Sequence, residues 1–264
     1  MRTKFQKFKE SYFLYSFKRD KVAIFSFIVL TIFLLLAVTA PWVAPMDPYD
    51  AVNIDIMNSE IPPVWMEEGS SEFLLGTDNQ GRDMLSTMLY GLRTSIVIGL
   101  GAVALQGIIG VLVGLFAGYT GGKLDAVLMR LADIQFSFPY LMVAILMSAI
   151  FQVAFGLGSF ERLAVPLLIV IIGLSNWPMF ARTIRASVIG EKNKEYVEAA
   201  KVIGLPTRTI IFRHILPNSL TSVMVISTIQ VANAVMSEAA LSFLGLGMPV
   251  TRPSLGSLIR AGQE

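Results

Sequence analysis

VAIFSFIVLTIFLLLAVTA, from Val22 to Ala40, carries no charged residue and is rich in β-branched and aromatic side chains. As a helix rising ~1.5 Å per residue, it is long enough to cross the ~30 Å hydrocarbon core of a bilayer. Further apolar runs occupy Ser95–Gly118, Ala126–Phe151, Ala164–Phe180 and Pro217–Met236. Hydrophobic residues make up 54% of the 264-residue chain and charged residues only 15%. With a mean hydropathy of +0.65, the chain has too little charge to cover a soluble domain of this length. The expected fold is an all-α polytopic membrane protein with about five transmembrane helices.

The first run exceeds the ~7–15 apolar residues of a cleaved signal peptide, and a long arm precedes it. It is therefore read as a retained anchor, although Thr39 and Ala40 are small. That divides the chain into a basic, aromatic arm at 1–21, a first span at 22–40, an extracytoplasmic loop at 41–92 and a core at 93–264.

Lysine and arginine set the orientation. The arm carries Arg2, Lys4, Lys7, Lys9, Lys18, Arg19 and Lys21, whereas 41–92 holds only Arg82 against many carboxylates. The positive-inside rule puts the N-terminus in the cytoplasm. Counting spans returns 182–216 to the same side, and that loop is again basic, with Arg182, Arg185, Lys192, Lys194, Lys201, Arg208 and Arg213. In the arm, Phe5, Phe8, Tyr12, Phe13, Tyr15 and Phe17 alternate with cations. Beside a membrane span, that pattern suits anionic lipid headgroups better than nucleic acid.

Residues 41–73, rich in Pro and carboxylates, read as an extended loop. Leu75-Gly76-Thr77-Asp78 then introduces a short helix over Met84–Tyr90, capped by Thr77 or Asp78. The alternative use of that surface is contact with an external partner. Gly110, Gly114 and Gly118 recur on one helix face, where missing side chains let another helix approach closely. Pro139 is expected to kink the third span.

Polar groups inside spans are costly in lipid. Gln106, Asp133, Gln135, Asn176, Gln230 and Asn233 are expected to bond between helices, with Arg130 or water satisfying Asp133. No ionisable relay is legible in the middle of the spans, which argues against proton coupling. The chain has no cysteine and one histidine, leaving little for a metal centre or a nucleophile set. No catalytic, metal or substrate-binding residues stand out.

The cytoplasmic stretch is distinctive. Ser187–Ile203 reads as one helix, with Tyr196, Ala199, Ala200 and Ile203 on an apolar face and Glu191, Glu195 and Glu198 on another. Gly204 suits the left-handed position after a helix end, and Pro206 can open a second short helix through His214 before Pro217 starts the last span. From residues alone, this elbow either packs on its own bundle or inserts into a partner's groove.

Glu198-Ala199-Ala200, Gly204, His214 and Leu216-Pro217 together resemble the EAA motif of binding-protein-dependent ABC importer permeases, with His214 replacing a common aliphatic. Arg213-His214-Ile215-Leu216-Pro217-Asn218 is similar to the dipeptide/oligopeptide/nickel branch. Leu75-Gly76-Thr77-Asp78, Gly81-Arg82-Asp83, Met129-Arg130 with Asp133, and Glu238-Ala239-Ala240-Leu241-Ser242-Phe243 point the same way. Pro62-Pro63-Val64-Trp65 resembles C-type dipeptide permease subunits.

The resemblance implies a MetI-like ABC permease bundle in the bacterial cytoplasmic (inner) membrane. Its expected partners are a second homologous permease, two ABC ATPase subunits that use ATP and Mg, and an extracytoplasmic solute-binding protein. Tyr196, Glu198, Ala199, Ala200, Gly204, His214, Leu216 and Pro217 would form the ATPase-coupling loop. This chain itself would bind no cofactor and catalyse nothing. Family members have a sixth span after the Glu238–Gly247 segment, so the core is expected to be C-terminally incomplete. An ion-coupled secondary transporter and an intramembrane enzyme are the alternatives from other classes, and nickel is an alternative substrate within the branch.

Overall fold

A computed structural model describes residues 12–50 and 54–263. The arm's Arg2, Lys4, Phe5, Lys7, Phe8 and Lys9 lie outside the described residues. Two compact units divide the chain, Met1–Arg93 and Thr94–Glu264.

In the first unit, α1 (Tyr12–Arg19) leads into α2 (Lys21–Val43). Asp20 makes the junction: its side chain accepts from the Val22 and Ala23 N–H groups, covering donors that a helix start leaves open. Most of α2 is exposed, including Phe25, Ile28 and Leu35. A segment this apolar needs lipid or protein around it.

The loop after α2 contains a 3₁₀ turn at Ile56–Asn58 and a tight knot around Thr77–Asp83. The Thr77 hydroxyl donates to the Asn58 carbonyl and accepts from Ile61 N–H. Asp78 accepts from the Gln80 and Arg82 N–H groups and pairs at 2.6 Å with the buried Arg82 guanidinium. The expected cap is corrected here. Asp83 caps the helix, accepting from Ser86 N–H at 2.7 Å. Thr77 and Asp78 are spent on the knot that precedes it.

That helix, α3 (Met84–Thr120), does not stop at Tyr90. The short helix and the second span are one continuous element, because no proline separates Tyr90 from Ser95 and the single Gly91 between them is tolerated inside a helix.

In the second unit, α3 is followed by α4 (Gly122–Phe136), α5 (Tyr140–Phe155), α6 (Leu157–Lys192), α7 (Glu195–Val202), α8 (Leu216–Phe243) and α9 (Leu255–Ala261). Among the described residues, four helices are long and apolar enough to cross a membrane, or five if α4 and α5 form one broken span. The Pro139 kink is in fact a break. The axes of α4 and α5 differ by 84° across Ser137-Phe138-Pro139, since Pro139 removes a backbone donor and biases Phe138 away from helix.

The glycine stripe packs α3 on α6. A Cβ at Gly114 would fall 2.3 Å from the Ala181 carbonyl oxygen, and one at Gly110 would fall 2.3 Å from Phe180 Cβ. The backbones therefore approach as the stripe anticipates. Phe180, Ala181, Ile184 and Val188 of α6 are buried there. The Lys192 ammonium donates to the Gly118 carbonyl at 2.8 Å, satisfying the open end of α3. Arg185 grips Asp125 with two bonds of 2.5 and 2.7 Å.

Candidate functional site

The single helix expected over Ser187–Ile203 is two. α6 ends at Lys192, Asn193 and Lys194 turn the chain, and α7 restarts at Glu195. At the far end, Gly204 has φ +82, its N–H donates to the Lys201 carbonyl and the Leu205 N–H donates to the Ala200 carbonyl. This is the paired-bond left-handed helix stop, and glycine enters it without a Cβ penalty. The chain then makes one turn at Thr207–Thr209, widens into a π-helix at Ile210–Ile215 and runs on into α8. The expected separate helix before Pro217 is therefore the first turns of the last long helix.

The predicted apolar face is also corrected. Val197 and Ala200 are buried, within the same core cluster as Ile210, Ile211 and Ile215. Tyr196, Ala199 and Ile203 face outward. The register places Val197, not Tyr196, opposite the π-helical isoleucines. The exposed side of α7 ends in an apolar knuckle: Val202 is 89% exposed and Ile203 77%, with Leu205 beside them. Glu198 and Gly204 are exposed on the same elbow. Leu216 is half-buried against the core, and Pro217 is exposed at the start of α8. An open recess of about 500 Å³ lined by Arg208, Thr209, Phe212, Arg213 and Pro217 adjoins the elbow's base.

Polar bonds join the elbow to both flanking helices. The Tyr196 hydroxyl donates to Glu191 Oε2 at 2.6 Å and accepts from Asn218 Nδ2 at 3.2 Å. Asn218 also donates to the His214 carbonyl at 2.7 Å, and the Tyr196 and His214 rings lie 6.5 Å apart. Lys194 donates to Glu191 Oε1 at 2.6 Å, which raises the Lys194 pKa. Partial burial, then the bond to Glu191, pushes the Tyr196 phenol above its ordinary value. It stays a hydroxyl donor at neutral pH. Neither Glu191's nor Asn218's bond to Tyr196 was legible in the sequence, because partners from three elements meet only after folding.

Two other polar expectations change. Asp133 pairs at 2.6 Å with Arg182 of α6, not with Arg130, and the Arg182 guanidinium lies 4.4 Å from the Phe136 ring centroid. A span-borne carboxylate that sequence reasoning passed over is Glu238 of α8, which is fully buried. Ser95 Oγ donates to its Oε2 at 2.6 Å and Ser242 Oγ to its Oε1 at 2.7 Å. These serines in turn accept from Leu255 and Met248 N–H groups. Gln230 of α8 does bond across to Gln106 of α3 at 3.4 Å, whereas Asn233 bonds within α8, to Gln230 at 2.8 Å. Gln106 also reaches the Ile172 carbonyl.

Residues 110–263, which hold the whole elbow, match the family described as binding-protein-dependent transport system inner membrane component. The chain belongs to this family. Residues 11–63 match a second description, the N-terminal TM domain of oligopeptide transport permease C. The permease is 34% identical to the di/tripeptide transport system permease protein of Pseudomonas aeruginosa (strain UCBPP-PA14), over 96% of this chain and 79% of that protein. It is 37% identical to the oligopeptide transport system permease protein of Haemophilus influenzae (strain ATCC 51907 / DSM 11121 / KW20 / Rd), over 93% of this chain and 74% of the relative. With the oligopeptide transport system permease protein of Bacillus subtilis (strain 168) it shares 34% identity over the same fractions. This permease is thus a multi-pass membrane component of a transport system.

Proposed function

We propose that this chain is the transmembrane subunit of an ATP-driven importer that carries dipeptides or oligopeptides across the bacterial inner membrane. Its N-terminus lies in the cytoplasm, on the same side as the elbow. Two ATPase subunits dock there and hydrolyse ATP, a second permease completes the pathway, and an extracytoplasmic binding protein delivers the peptide. The chain itself holds no ATP or Mg.

One observation carries this reading: within a family of transport components, α7 stands out as a short helix. One side packs on the core through Val197 and Ala200, and the other ends in exposed Val202, Ile203 and Leu205. An apolar knuckle on a polar, basic elbow has the form of a helix that enters a partner's groove. Tyr196, Glu198, Ala199, Gly204, His214 and Pro217 surround or support that knuckle, and Ala200 and Leu216 anchor it. Ion-coupled transport fits less well, because Glu238 of α8 has both oxygens engaged and no exposed surface, and Asp133 is paired with Arg182.

The test is reconstitution of the chain in proteoliposomes with the ATPases, paired permease and binding protein of its own operon. Uptake of a labelled dipeptide should require both ATP and the binding protein. Uptake driven by an ion gradient without ATP would overturn the assignment.

A further inference from the structure

We propose that the Tyr196 hydroxyl, clasped between Glu191 and Asn218, is the positioning group through which motion of α7 is imposed on α6 and α8 together. The inference rests on the functional reading above and names the side chain that makes the elbow act as one body.

Covalent geometry leaves α7 free to swing. It joins α6 through Asn193-Lys194, and Asn193 sits in a non-helical conformation. Its other end is the Gly204 reversal, where the space around a Cβ is open. The apolar contact of Val197 and Ala200 holds it to the π-helix, but packing of two small side chains resists sliding weakly. A push on the knuckle would then be absorbed as rotation of α7 unless a directional link opposes it.

Tyr196 supplies links in two directions at once. Its hydroxyl donates to the last turn of α6 through Glu191 and accepts from the first turn of α8 through Asn218. The Glu191 carboxylate is itself fixed, since Lys194 donates to its other oxygen. A bond to a charged acceptor is short and among the stronger kinds. Asn218 has a second task that fixes its amide: its donation to the His214 carbonyl. That carbonyl lies in the π-helical stretch. π-helical turns are rare and occur frequently at functional sites. Asn218 therefore braces the π-helical turn and hands it to Tyr196. With the clasp closed, displacement of α7 reaches both spans; with it open, the π-turn and the Asn193 joint absorb the movement.

Tyr196→Phe deletes the hydroxyl and keeps the ring, and Asn218→Ala removes the other arm. Both are made in the complete reconstituted transporter, and the readout is peptide taken up per ATP hydrolysed, normalised to assembled complex. Each single variant should lower that ratio at least threefold. Because both open one clasp, the double variant should be no worse than the poorer single. A wild-type ratio for Tyr196→Phe would overturn the proposal, as would losses that multiply in the double variant. Failure of the unaltered chain to drive ATP-dependent uptake would instead sink the functional reading on which the clasp depends.

Discussion

The Tyr196 clasp and the Glu238 node are built from the same kinds of group, yet burial gives them opposite mechanical characters. Around Tyr196, the phenol and the Asn218 amide lie at the surface, so parting them exchanges each bond for one to water. Such exchanges cost roughly 0.5–1.5 kcal/mol per bond. At Glu238, the carboxylate, Ser95 and Ser242 are all buried, and each serine passes the connection on to a backbone N–H of the segment after α8. Parting that set strands several polar groups away from water, at about 1–3 kcal/mol each. The exposed clasp is therefore the cheaper of the two to open, and the buried node ties α3, α8 and the following chain together.

Removing the anchor should have the largest effect. Glu238→Ala leaves two serine hydroxyls without their acceptor and opens a cavity, for a loss of about 3 kcal/mol or more. Thermal unfolding in detergent should show a clearly lowered midpoint. An unchanged midpoint would mean the node is not holding these segments. Next comes the seam that supports both regions. Gly114→Val drives a side chain against the Ala181 carbonyl, and such overpacking costs about 1–3 kcal/mol. The same melting experiment reads it, with Gly204→Val as the contrasting variant.

Gly204→Val sharpens the comparison because it strains the elbow without crowding. A left-handed residue with a Cβ costs about 1–2 kcal/mol, and nothing lies within 4 Å of that Cβ. Membrane insertion should persist while peptide uptake per ATP falls. Normal uptake in this variant would show that the elbow's shape is not what couples it. The smallest effect is expected at the surface ion pair. Arg182 and Asp133 side chains are 47% and 49% exposed, and such pairs contribute roughly 0–1 kcal/mol. Arg182→Ala should leave the melting midpoint almost unmoved.

The sequence by itself determined the solvent, the spans and the closest seam. Apolar runs of bilayer length can satisfy their backbones only as helices in lipid, and Gly110, Gly114 and Gly118 announce close approach without naming the partner. Gly204 declared its left-handed stop because that chemistry is local. What tertiary structure alone decided was pairing. Asp133 had Arg130 a turn away, yet bonds to Arg182 across two helices. Glu238 looked like part of a motif beyond the last span, whereas α8 runs on to Phe243 and buries it. Tyr196 read as part of an apolar face, until the register of α7 gave that place to Val197 and turned the phenol toward Glu191 and Asn218. Periodicity reports which residues share a face. Which face is covered, and by whose side chain, depends on groups far apart in the chain and is fixed only when the helices pack.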